Sequence, residues 1–203
     1  MTFVLGLTGS IGMGKSAMAA IFRRFGVPVH DADAAVHRLY EGEAAPLIEA
    51  AFPGTAPTGI VDRPTLSKAV IGSPEGMATL EAIVHPLVRR EEERFLENAV
   101  ATQAAVAVLD IPLLFETGGD SRCDAVLVVT AARAVQRERV LARPGMSEEK
   151  FAAILAKQMP DAEKRRRAHF VVDTGRGVAS AERQVGGILR ALASRPGRVL
   201  RST

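Results

Sequence analysis

An apolar run that breaks into a glycine-rich turn constrains this chain more than any other feature. Phe3-Val4-Leu5-Gly6-Leu7-Thr8 reads as a buried strand and Ala17 to Phe25 as a helix. Between them Gly9-Ser10-Ile11-Gly12-Met13-Gly14-Lys15-Ser16 fits G-x-x-x-x-G-K-[ST], the phosphate-binding loop. The pattern has a physical cause. Glycines let the main chain wrap closely round phosphate oxygens, where a Cβ would block the approach. The helix that follows aims its unsatisfied N–H groups at the anion. Lys15 is placed to reach the β/γ-phosphates and the Ser16 hydroxyl to ligate Mg²⁺. Gly12, Met13, Gly14, Lys15, Ser16 and Ala17 are therefore the candidate nucleotide contacts.

The rest of the chain alternates strands and helices, which predicts an α/β fold with a parallel sheet. A short strand over Val27-Pro28-Val29-His30 ends at Asp31. A helix is expected from Asp33 to about Ala51, a loop from Phe52 to Asp62, and two or more helices from Arg63 to Ala101. Ala105 to Asp110 and Asp124 to Val129 read as buried strands, with Phe170-Val171-Val172 a short last one. Helices are expected at 134–141, 147–159 and 178–193, and the tail 194–203 is expected to be loosely held. Glu91-Glu92-Glu93-Arg94 and Lys164-Arg165-Arg166-Arg167 read as solvated faces. Ligands of parallel open sheets sit beyond the carboxyl ends of the strands. The phosphate loop, Asp31 with Asp33, and Asp110 are expected to converge there.

Chemistry narrows the candidates. Asp110, ending an apolar strand, suits a carboxylate that holds Mg²⁺ through water. Asp33 suits an acceptor hydroxyl: a carboxylate is a weak base, so it orients the hydroxyl and takes its proton late. Asp31 reads as a turn or helix cap. Arg137, Arg139 and Arg143 recur on one short helix, either as a lid over a triphosphate or as a solvated basic face. Pro86 marks a kink or helix boundary, and His85 before it is either structural or a contact for an anionic substrate.

Composition bounds the partners. With 47% hydrophobic residues in 203, the chain supports one sizeable core, and no apolar run approaches the length of a membrane span. Cys123 is the only cysteine, so a reducing cytoplasm is expected and the thiol reads as a passive small side chain. No leader is expected, because its removal would take part of the phosphate loop. Residues 1–121 carry 9 basic and 15 acidic groups; residues 122–203 carry 17 and 8. The basic half suits closure over a polyphosphate. With 8 Phe, 1 Tyr and no Trp, base stacking has little to work with, so no nucleic acid is expected. The absence of an N-K-x-D motif argues against a GTPase switch.

Several motifs together resemble dephospho-CoA kinases: L-T-G-S-I-G-M-G-K-S at 7–16, D-A-D at 31–33, D-R at 62–63, H-P-L-V-R at 85–89, D-I-P-L-L-F-E at 110–116 and Q-R-E-R-V-L-A-R at 136–143. P-L-L-F-E separates the chain from nucleoside monophosphate and shikimate-type kinases. The resemblance implies a three-layer P-loop core (about 1–32, 104–130 and 168–193), a helical CoA-binding part (about 33–101) and a lid (about 133–160). It implies ATP-dependent phosphorylation of the ribose 3′-hydroxyl of dephospho-CoA, with Mg²⁺, by a monomer or weak homo-oligomer. It implies Asp33 as acceptor-side base, Lys15 on the phosphates, Arg139 as a catalytic lid contact, and Asp33, Arg63, His85 and Leu113 on the dephospho-CoA side. Two departures stand out: Ala168-His169 replaces a usual Ala-Asp pair, and Asp173 replaces an Asn near the expected adenine site. Leu155 and Lys157 also occupy a stretch where the family often has an arginine.

Overall fold

The phosphate loop hangs from the middle strand of a five-stranded sheet. Residues 2–193 and 195–198 are described by a computed structural model of the chain. In chain order the elements are β1 (Phe3–Thr8), α1 (Lys15–Arg24), β2 (Val29–Asp31), α2 (Ala32–Tyr40), α3 (Ala45–Ala51), α4 (Arg63–Val70) and α5 (Pro74–Ala101). Then follow β3 (Val106–Asp110), β4 (Ala125–Thr130), α6 (Arg133–Leu141), α7 (Glu148–Ala156), α8 (Asp161–Arg167), β5 (Phe170–Asp173) and α9 (Val178–Leu192). The strand order is β2-β3-β1-β4-β5. The pairs β1–β3, β1–β4 and β4–β5 are parallel, with Leu7 beside Asp110, Leu5 beside Ala125 and Thr130 beside Asp173. β1 and β3 are buried along their whole length. A strand covered on both faces needs a continuous apolar run, which is how both read in the sequence.

The chain divides into two compact units, residues 1–30 with 99–203, and residues 31–98. The first has a core of Leu5, Leu7, Met18, Phe22, Val108, Leu127 and their neighbours, joining the sheet to α1 and α9. The second has its own core, built on Leu39, Ile48, Leu66, Val84 and Leu87.

Several sequence expectations are corrected. The helix expected from 33 to 51 is two helices. In a continuous helix Ala44 N–H would bond Tyr40 O; instead Val61 N–H donates to Tyr40 O (2.9 Å) and Ala44 N–H reaches back to Leu39 O (2.9 Å). Pro86 ends no helix: it lies inside the 28-residue α5. Pro86 and Ala82, whose carbonyl loses its partner, are both exposed, so water can solvate the orphaned oxygen. Glu92 is buried (5% exposed), because the inward stripe of α5 through Val84, Leu96 and Ala99 passes over it. The run 164–167 belongs to α8, and Lys164 at its head is fully buried. Of the tail 194–203 only 195–198 lie within the described residues. There Arg198 N–H donates to Asp124 Oδ1 at 2.5 Å. Among the described residues no helix is long and apolar enough to cross a membrane.

Candidate functional site

β1 ends at Thr8, whose hydroxyl donates to Pro112 O (2.9 Å), and α1 begins at Lys15. The six residues between them turn the chain through two left-handed glycines, Gly12 (φ 78°) and Gly14 (φ 88°). A Cβ on Gly12 would stand 2.5 Å from Val140 Cγ2 and 2.9 Å from Gln136 O, so size as well as φ requires glycine. Met13 N–H donates to Ser10 O (3.1 Å), closing the turn. α1 has no acidic residue in its first turn and no side-chain cap, which leaves its positive end intact. The side chains of Ser16 and Ala17 belong to exposed residues on that first turn.

Asp110 ends β3 directly beside β1, and its Oδ1 lies 2.6 Å from Lys15 Nζ. Asp110 is 2% exposed, so its charge is stabilised by that partner. This crevice is where the connections leaving β1 and β3 run in opposite directions, the switch point at which open sheets bind ligands. Ser16 and Asp110 offer a sparse set of hard oxygen donors. That suits Mg²⁺, which keeps several waters and completes its shell with phosphate oxygens. The glycine turn with its helix end suits the triphosphate.

Side chains from outside the motif fasten the loop. Gln136 Nε2 donates to Ile11 O (2.8 Å), and Ile11 N–H donates to Gln158 Oε1 (3.1 Å). The Thr174 hydroxyl donates to Met13 O (2.8 Å). Arg139 donates twice to Thr174, to Oγ1 at 2.9 Å and to the carbonyl at 3.0 Å. Sequence reasoning named Arg139 but missed Gln136, Gln158 and Thr174 as loop contacts. Each stands in a stretch already noted, yet neutral polar residues carry no signal of their contacts. Arg137 points elsewhere, pairing with Glu148, and Arg143 is exposed. Two cavities flank the loop. One of about 740 Å³ touches Ser10, Met13, Gln136, Gln158 and Asp173; the other, about 320 Å³, touches Gly14, Ala17, Arg139, Thr174 and Val178.

A second lysine–carboxylate pair lies in the same unit. Lys164 Nζ is 2.8 Å from Glu116 Oε1, which also accepts Met159 N–H at 2.8 Å. Burial alone would raise the Glu116 carboxyl, but the Lys164 ammonium and the Met159 amide outweigh it and hold it below the ordinary glutamate value. The pair ties the loop after β3 to the segment that carries Gln158.

Within residues 31–98, Asp31 caps α2 by accepting Ala34 N–H (3.0 Å), as its turn-or-cap reading expects. Asp33 is exposed in the first turn of that helix. Arg63, exposed at the start of α4, places Nη1 2.8 Å from His37 Nε2. Burial pushes the nearby Tyr40 phenol up, with Arg63 opposing the shift. His85 is exposed on α5. Leu113, in the other unit, is 41% exposed in the turn after β3.

The dephospho-CoA kinase family model matches residues 3–179. A dephospho-CoA kinase from Mesorhizobium japonicum is 59% identical over 194 residues, covering 96% of this chain and 98% of that protein. Among solved structures, a Thermus thermophilus protein superposes with a TM-score of 0.82 at 37% identity, over 94% of this chain and 97% of that one. The dephospho-CoA kinase from Campylobacter jejuni superposes with a TM-score of 0.70 at 23% identity, over 95% of this chain and 98% of that one, a likeness of fold.

Proposed function

The chain belongs to the dephospho-CoA kinase family, and we propose that it transfers the γ-phosphoryl group of ATP to the ribose 3′-hydroxyl of dephospho-CoA, the last step of coenzyme A synthesis. The 3′-oxygen bonds to the γ-phosphorus, the bond from that phosphorus to the β–γ bridging oxygen breaks, and ADP leaves. The acceptor proton passes to Asp33. The observation that carries this reading is the family match across residues 3–179, on a chain whose loop 9–16 has the geometry of an anion cradle.

The residue roles follow from chemistry. The turn at Gly12 to Gly14 and the start of α1, through Ala17, hold the phosphates. Lys15 neutralises charge on the β/γ oxygens. Lys15 stands 2.6 Å from Asp110, so the buried carboxylate fixes the ammonium at the mouth of the loop. Ser16 and Asp110 would hold Mg²⁺, which offsets negative charge on the transferring group when bound. Arg139 adds positive charge beside the loop. Asp33, Arg63, His85 and Leu113 serve the acceptor.

The test is a product assay with purified protein, Mg·ATP and a panel of dephospho-CoA, adenosine, AMP and shikimate. Phosphorylation of dephospho-CoA alone, at the 3′ position, is expected. Preferred turnover of another acceptor would overturn the assignment.

A further inference from the structure

Beyond the loop's own turn, bonded from Met13 N–H to Ser10 O, neighbouring side chains set the direction of its amides. In a trans peptide the C=O and the following N–H point opposite ways, and the described chain contains no cis bond. Gln136 Nε2 draws Ile11 O towards α6 at 2.8 Å, which turns Gly12 N–H the other way. The Thr174 hydroxyl draws Met13 O towards the β5 exit at 2.8 Å, which turns Gly14 N–H the other way. Gly12 and Gly14 are the two left-handed residues of the turn. Both donors are buried, Gln136 at 5% and Thr174 at 8% exposed. A Cβ on Gly14 would stand 3.0 Å from Thr174 Oγ1, so the two segments are in direct contact.

We infer that Gln136 and Thr174 are positioning residues that hold the Ile11 and Met13 carbonyls outward and so preset the Gly12 and Gly14 amides for the β- and γ-phosphates. This rests on the nucleotide-binding reading above. Thr174 has one proton to give. Arg139 donates to its Oγ1 (2.9 Å), so that proton must go to an acceptor, and Met13 O at 2.8 Å is closer than Thr130 O at 3.3 Å. Arg139 thereby fixes the direction of the hydroxyl. Gln158 secures the preceding peptide: it accepts Ile11 N–H, which directs Ser10 O back to Met13 N–H. Three side chains thus fix three of the loop's peptide planes before any phosphate arrives, the preorganisation that lowers the cost of binding.

The test uses Thr174→Val and Gln136→Met, which keep volume but remove the donors, with Thr174→Ser as the rescue. Affinities for ADP and AMP are measured by titration calorimetry, with melting curves alongside. AMP has no β-phosphate, so it reports nucleoside binding apart from the preset amides. Each donor-less variant should bind ADP about threefold to tenfold more weakly, the size of one hydrogen bond. AMP affinity should stay within about twofold, and Thr174→Ser should restore ADP binding. Either variant keeping wild-type ADP affinity, or losing ADP and AMP equally, overturns the inference. If Thr174→Val melts too low to titrate, Gln136→Met decides it. Wild-type protein that binds neither nucleotide would instead overturn the nucleotide-binding reading itself.

Discussion

The loop over residues 9–16 and the helical unit of residues 31–98 present their chemistry in opposite ways. The contacts proposed for the loop are mainly main-chain amides, and buried partners hold it at three points: Asp110 on Lys15, Gln136 on Ile11, Thr174 on Met13. In the helical unit the candidate groups, Asp33, Arg63 and His85, are exposed side chains carried on helices with a separate core. A phosphate is recognised by many weak donors whose directions must be fixed in advance, so its cradle is embedded. An acceptor hydroxyl needs one or two groups in register, and these can ride on helix surfaces.

The largest expected effect breaks the loop side. Lys15→Ala should lower kcat/KM by about 10⁴-fold, because charge on the transferring group loses its cation. It also strands Asp110 as a buried carboxylate without that partner, so a melting curve must accompany the assay. Turnover near wild type would remove the loop from the mechanism. Next, Asp33→Ala should lower kcat by about 10³-fold, within the range of a lost general base, while ADP affinity stays unchanged. A parallel loss of ADP affinity would show that the two regions do not divide the work as described.

A third change separates a buried lysine that shapes the fold from one that serves the phosphates. Lys164→Met leaves Glu116 Oε1 with only the Met159 amide among its two described partners. About 3 kcal/mol of stability should be lost, about 10²-fold in the unfolding constant. The pH dependence should weaken. With Lys164 present the folded carboxyl lies below its ordinary value. Its contribution is therefore present above the ordinary glutamate range and is lost as pH falls through the folded pKa. Without Lys164 the carboxyl loses its strongest lowering partner while the Met159 amide remains, so less stability should be lost as pH falls through the same range. Urea unfolding of both proteins across the carboxylate range measures this.

What the sequence made legible follows the same division. Glycine and lysine at fixed spacing are demanded by backbone geometry, so the loop could be read directly, as could Asp110 at the end of a run buried on both faces. Lys164 could not: a lysine heading K-R-R-R looks solvated until the partner, 48 positions away in sequence at Glu116, is known. The break after Tyr40 was hidden because it depends on a tertiary bond from Val61. Pro86 left a kink and a boundary open, and the helix runs through it because the carbonyl it orphans belongs to exposed Ala82. Gln136 and Thr174 act through single hydrogen bonds to main-chain oxygens, which no composition or periodicity records.

The smallest expected effect tests the helical unit at its finest grain, in two carboxylates two residues apart. Asp31 accepts Ala34 N–H and caps α2, whereas Asp33 stands exposed within its first turn. Removing the cap by Asp31→Ala should cost about 1 kcal/mol, a fall in melting temperature of about 2–4 °C. Asp31→Asn, which retains an accepting oxygen, should recover most of it. Turnover well below the melting point should stay within a few-fold of wild type, because a cap acts on the helix and not on the transferred proton. A collapse of turnover in Asp31→Asn, with the melting temperature intact, would move the catalytic carboxylate from position 33 to position 31.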